Sequence, residues 1–166
     1  VAGSEVLTRM GRIDDAMNLI NKALKEDAED EILHNAHVQL YIAMAREAEN
    51  QLNLDEAQAL LRKGLKLYSE DTSLRYAQAL IYQKQGRIRR AVGTLRDLAE
   101  ENPNDAGLLN ALGYLMTDQG RQHQEARAYI QKALAMEPDN PAIIDSMGWV
   151  LFRLGQYKAA LGYLER

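Results

Sequence analysis

Few of the 166 residues have types and spacings that could do chemistry. His34 and His37 stand three apart, with Glu31 three before His34, so a helix would present all three on one face. Imidazole and carboxylate at that spacing can hold zinc. Zinc needs a closed ligand set, however, and no distant donor completes one. The expectation is no metal, the two histidines being polar surface and His123 solvated. Trp149 and Phe152, the chain's one Trp and one Phe, also stand three apart and share a face. Surface aromatics of that kind anchor protein partners, and packing against a following helical unit stays open as the alternative. Arg87, Arg89 and Arg90 make a small patch that could touch an acidic partner. Glu26, Asp27, Glu29, Asp30 and Glu31 end one segment and open the next, where acids favour a helix N-terminus.

The rest of the inventory excludes more than it suggests. No phosphate-binding glycine loop, Gly-x-Ser-x-Gly elbow or His-Glu-x-x-His occurs, so no catalytic set and no cofactor are expected. With no Cys, thiol catalysis, cysteine metal sites and disulfides are excluded. Lys and Arg number 20 against 24 Asp and Glu, a net charge of −4, which lacks the basic excess that nucleic acid demands. No apolar run is long enough for direct membrane insertion, and no leader pattern opens the chain, so this sequence is expected to carry no targeting signal.

The elements that position these residues read as helices throughout. Ala, Leu, Glu, Gln, Arg and Lys fill the long segments, and no stretch alternates like a strand. The spacing predicts helices over 1–10, 13–27, 30–52, 54–68, 72–85, 88–101, 105–119, 122–136, 141–154 and 157–166. Asp105 and Asn140 are expected as N-caps, the latter ahead of Pro141, and Gly86, Gly120 and Gly155 as tight turns.

These helices repeat in pairs. Gly11-Arg12-Ile13-Asp14-Asp15-Ala16, Gly86-Arg87-Ile88-Arg89-Arg90-Ala91 and Gly155-Gln156-Tyr157-Lys158-Ala159-Ala160 share Gly, an apolar residue two on and Ala five on. Leu52 stands in the Gly place of another copy, and Gly120 to Ala126 has one extra residue. The pivots Ala16, Ala57, Ala91, Ala126 and Ala160 are spaced 41, 34, 35 and 34. A second small residue precedes each: Ser4, Ala45, Ala79, Gly113 and Gly148. Two small positions per unit let two antiparallel helices approach closely. The longer spacing adds seven residues, close to two helical turns, and predicts one long helix, 31–52, protruding from the stack.

A 34-residue period with this pattern resembles the tetratricopeptide repeat. Met147-Gly148, Leu151, Ala160 and Leu164 match its places, as do Pro103 and Pro138, whereas Ile144 stands where Trp is usual. The resemblance implies an all-α fold, a right-handed superhelical solenoid of helix–turn–helix repeats. It implies a single array over 1–166, with units at about 1–30, 31–71, 72–105, 106–140 and a truncated 141–166. The first helix of each unit then lines a concave groove. Carried over place by place, the groove candidates for binding a protein or peptide are Ile42, Arg46, Tyr76, Leu80, Lys84, Asn110, Tyr114, Asp145, Trp149, Phe152 and Arg153. Gln39, Glu49, Asn50, Ser73, Gln83, Gly107, Thr117, Asp118 and Ala142 take the remaining groove places. The Lys/Asn/Arg clamp for a chaperone's carboxylate is absent, and so is the Asn ladder of glycosyltransferase arms.

Leu108 to Tyr114 and Pro138 to Trp149 resemble the proteobacterial outer-membrane lipoproteins built of this repeat. That likeness implies a non-enzymatic adaptor at the periplasmic face of the outer membrane, delivering substrates to a carboxyl-terminal processing protease. The rivals are an oligomerisation scaffold without a peptide ligand and the targeting arm of a transferase whose catalytic domain lies elsewhere. Val1 falls inside a helix and Arg166 before one is complete, so a longer array is expected, with self-association through the uncapped C-terminal unit.

Overall fold

The computed structural model describes residues 2–120 and 122–165, and among these every regular element is a helix. There are ten: α1 (Ala2–Arg9), α2 (Ile13–Glu26), α3 (Glu31–Asn50), α4 (Leu54–Leu67), α5 (Thr72–Lys84), α6 (Ile88–Glu101), α7 (Ala106–Asp118), α8 (His123–Met136), α9 (Pro141–Arg153) and α10 (Tyr157–Leu164). Each starts within two residues of its expected place. They form two compact units, Val1–Gly86 and Arg87–Arg166.

Two kinds of punctuation alternate. The first helices α3, α5, α7 and α9 begin with side-chain caps: Asp30, Asp71, Asp105 and Asn140 each accept from backbone N–H groups of the first turn. The second helices α2, α6 and α10 lack such a cap and begin two residues after a left-handed residue. That residue is Gly11, Gly86 or Gly155, at φ between +70° and +74°. Leu52 takes the same conformation, φ 60°, before α4. It closes its turn through its N–H to the Glu49 carbonyl at 2.8 Å and leaves its side chain 88% exposed. A side chain there pays the left-handed penalty of about 1–2 kcal/mol without burial to offset it.

In Val1–Gly86 the core has two parts. Ala16 and Ile20 of α2 meet Leu33 and Leu40 of α3, while Val38, Ile42 and Ala45 of α3 meet Ala57 and Leu61 of α4 and Leu74 of α5. Each buried Leu or Ile contributes about 1.5–3 kcal/mol. The long helix does not protrude as expected. Buried side chains run along α3 from Leu33 to Ala48, because nearly two whole turns of extra length keep the same face inward. The first turns of α3 are covered by Tyr68, which follows α4.

In Arg87–Arg166 the pairs α7/α8 and α9/α10 pack most closely. A Cβ on Gly113 would lie 2.5 Å from Ile130 Cγ1 and 2.8 Å from the Ala126 carbonyl oxygen. One on Gly148 would lie 2.7 Å from Leu164 Cδ2. All the repeat's small positions, from Ser4 and Ala16 to Gly148 and Ala160, are buried. Two substitutions should therefore shift a thermal melt in opposite directions. Leu52→Gly should stabilise the fold by about 1 kcal/mol by relieving the left-handed side chain. Gly113→Ala should cost about 1–3 kcal/mol despite alanine's better helix propensity, because the Ala126 backbone cannot move aside. Equal melts for Gly113→Ala and the parent would show that the α7/α8 seam is not tight.

Candidate functional site

In Arg87–Arg166 the candidates on α7 and α9 come together. α7 packs on α9, and Tyr114, Asp145, Trp149 and Phe152 line one open cavity of about 430 Å³ with Leu164 of α10. Tyr114 is 40%, Phe152 48% and Leu164 54% exposed, so three large apolar side chains meet solvent in one place. Trp149 and Phe152 stack, their ring centroids 5.8 Å apart and their planes at 12°. Tyr157 tilts onto Phe152 at 5.4 Å. The Trp149 indole N–H is enclosed without an acceptor, as is the Asn110 side-chain oxygen without a donor. What Trp149 offers to solvent is therefore ring carbon.

Arg153 does not point into this cavity as a free cation. Its guanidinium carbon lies 5.3 Å from the Trp149 ring centroid, and one of its nitrogens reaches to 3.2 Å from where a Cβ on Gly120 would stand. It is held between the indole and the turn after α7, where helix carbonyls attract a cation. Asp145 is exposed and, among the described residues, is the charged group that lines the cavity.

In Val1–Gly86 the candidates fare differently. Arg46 is exposed, and Tyr76 and Leu80 are half-buried. Lys84 is paired with Glu49, tying α5 to α3, so its charge is already used. Ile42, carried over as a groove residue, is 6% exposed and belongs to the core with Ala45 and Leu61. A branched apolar side chain at the edge of the helix seam turns inward. Thr117 of α7 is also buried, its hydroxyl donating to the Gly113 carbonyl at 2.8 Å. A second cavity, about 410 Å³, opens between α1 and α3 and is lined by Thr8, Ile32, Ala36 and Gln39 among others. Sequence reading missed it, although an apolar Ile32 in the first turn after an acidic run was a visible signal.

His34 and His37 are not the exposed pair they were expected to be. His37 is buried, its Nδ1 2.9 Å from the Tyr68 hydroxyl, with the Tyr41 ring tilted against it at 4.9 Å. His34 is half-buried, its Nε2 2.8 Å from the Ala28 carbonyl. Among the described residues no three His, Asp or Glu side chains converge as metal ligands do. Burial, and secondarily the neighbouring His34, push the His37 pKa below its ordinary 6.5. Burial, then Tyr41, raises that of Tyr68.

Comparison with known proteins supports the repeat reading. Residues 76–141 match the family model described as tetratricopeptide repeat. The chain is 35% identical over 163 residues to the TPR repeat-containing protein PA4667 of Pseudomonas aeruginosa, covering 98% of the chain and 27% of that protein. It is 34% identical over 87 residues to bacteriophage adsorption protein A of Escherichia coli, covering 52% of the chain and 9% of that protein. The chain thus spans about a quarter or less of these relatives. Among solved structures, MamA from Desulfovibrio magneticus superposes with a TM-score of 0.73 at 21% identity, over 98% of this chain and 87% of that one. A tetratricopeptide repeat protein of Parabacteroides merdae gives 0.75 at 16% identity, over 99% and 62%. At these identities the structures establish a shared all-helical fold.

The buried histidine predicts a pH dependence. The folded chain holds His37 neutral, while the unfolded chain takes up its proton near pH 6.5. Stability should be full above that value and fall as pH drops through it toward the lowered folded pKa, since the unfolded state then binds more protons. Urea midpoints measured from neutral to mildly acidic pH should show this decline. A His37→Gln chain should show less of it, and an identical slope in that variant would assign the titration elsewhere.

Proposed function

We propose that the chain, whose residues 76–141 match the tetratricopeptide repeat family, is a non-enzymatic scaffold whose first-helix face binds another protein or a peptide. The observation that carries this reading is the joint exposure of Tyr114, Phe152 and Leu164 around Trp149 in one cavity. Aromatic side chains partly buried at the base and open at the rim lose little entropy on contact and dominate protein interfaces. The finer reading is an adaptor at the periplasmic face of the outer membrane that delivers substrates to a carboxyl-terminal processing protease. Its support is the resemblance carried by Leu108 to Tyr114 and Pro138 to Trp149.

A second reading, self-association, is favoured by one observation. Tyr157, Leu161 and Leu164 of α10 are 64%, 54% and 54% exposed, an apolar strip that a second copy could cover. Sedimentation over a concentration series should then show a dimer that Leu161→Glu disperses. A parent chain that stays monomeric would overturn this second reading.

The scaffold reading is tested with the immobilised chain and its Tyr114→Ala, Phe152→Ala double variant. Both side chains are exposed, so helical circular dichroism should be unchanged. Binding to a genuine partner should weaken at least about tenfold, the loss that truncating central aromatic anchors produces. With a purified carboxyl-terminal processing protease as the bait, the same pair of chains tests the adaptor reading. Partner binding that survives the double substitution would place the interface elsewhere.

A further inference from the structure

Among the described residues, the two helices that wall the cavity carry few charges. α7 carries one charged residue, Asp118, and α9 carries two, Asp145 and Arg153. Among the described residues neither aspartate makes an ion pair or a side-chain hydrogen bond. Asp145 does not cap α9, because Asn140 does. Asp118 is the last residue of α7, where the helix dipole disfavours a carboxylate. Each acid lies one turn from an aromatic of the cavity: Asp118 is four after Tyr114, and Asp145 four before Trp149. Arg153, the cation of α9, is turned to the Trp149 ring and the Gly120 turn.

We propose that the α7–α9 face binds a basic segment of a partner protein, one that sets an aromatic or aliphatic side chain beside Lys or Arg. The apolar side chain fills the cavity between Tyr114, Phe152 and Leu164, and the cation meets Asp145, with Asp118 beyond Tyr114. The aromatic rings reinforce the choice of sign, because their faces carry partial negative charge and attract ammonium and guanidinium groups. An acidic segment would instead bring carboxylates against two unpaired aspartates. This inference rests on the protein-binding reading and adds the chemistry of the partner to it.

Trp149 is the chain's only tryptophan, so its emission reports binding directly. The full chain is titrated with three short synthetic peptides free of tryptophan: one alternating Lys and Phe, one Glu and Phe, one Lys and Ser. The Lys/Phe peptide should bind with a saturable change in Trp149 emission that added salt weakens. Asp145→Asn should weaken it about two- to fivefold, as loss of a solvent-exposed ion pair does. Asp145→Lys should weaken it further while leaving the melt unchanged. The Glu/Phe and Lys/Ser peptides should bind much more weakly. Equal affinity for Glu/Phe or for Lys/Ser, no binding of Lys/Phe, or undiminished binding by Asp145→Lys would overturn the proposal. The protein-binding reading stands or falls separately, on whether Tyr114→Ala with Phe152→Ala releases a genuine partner.

Discussion

The closeness with which the two helices of a repeat approach one another is the constraint on which the rest depends. Gly113 faces the Ala126 backbone with no room for a Cβ, and Gly148 lies against the Leu164 side chain. Such a contact fixes the rotation of the first helix about its own axis. Rotation in turn decides which side chains are left for a partner. At about 100° per residue, Tyr114 lies roughly 100° from Gly113 and Asp118 about 140°, both clear of the seam. Thr117 lies only about 40° from it, and so it is buried and bonded to the Gly113 carbonyl. The groove is a consequence of the seam.

Positions at the edge of the seam are settled by side-chain chemistry. Ile42, Tyr76, Asn110 and Asp145 each precede the small seam residue of their helix by three. Ile42 folds into the core, Tyr76 and Asn110 are half-buried, and Asp145 stays in water. A carboxylate cannot be buried unpaired, whereas an isoleucine gains by it. The same place in four repeats thus serves the core in one and the surface in another. This variation is how a repeat architecture keeps its geometry while its recognition surface changes.

The electrostatics of the two units divide along the same line. In Val1–Gly86 the groove charge Lys84 is used internally, against Glu49, and joins α3 to α5. In Arg87–Arg166 the ion pair Arg96–Glu125 lies between α6 and α8 at 2.9 Å, and the acids of α7 and α9 make no ion pair among the described residues. Charges engaged within the fold contribute to register. Charges left out of it, beside exposed aromatics, are available to recognition.

The sequence by itself determined the helices, two of their caps (Asp105 and Asn140) and the pairing of small positions. Each of these depends on neighbours within a turn or on a period that the residues display: Asp105 caps α7, Gly86 turns left-handed, and Ala91 recurs 34 after Ala57. It also put Tyr114, Trp149 and Phe152 on the first-helix face, because a place in the repeat specifies a place on the helix, and the structure gathers them around one cavity. Tertiary structure decided what a one-dimensional pattern cannot hold, namely which of the groove places remain open. His37 looked like surface on an isolated helix, but Tyr68, thirty-one residues away, covers it. Ile42 and Thr117 carried groove places but turned into the core, and Leu164, a repeat position with no recognition role in the pattern, completed the cavity. Burial is a sum over every neighbour in space, and a repeat register counts only those along the chain.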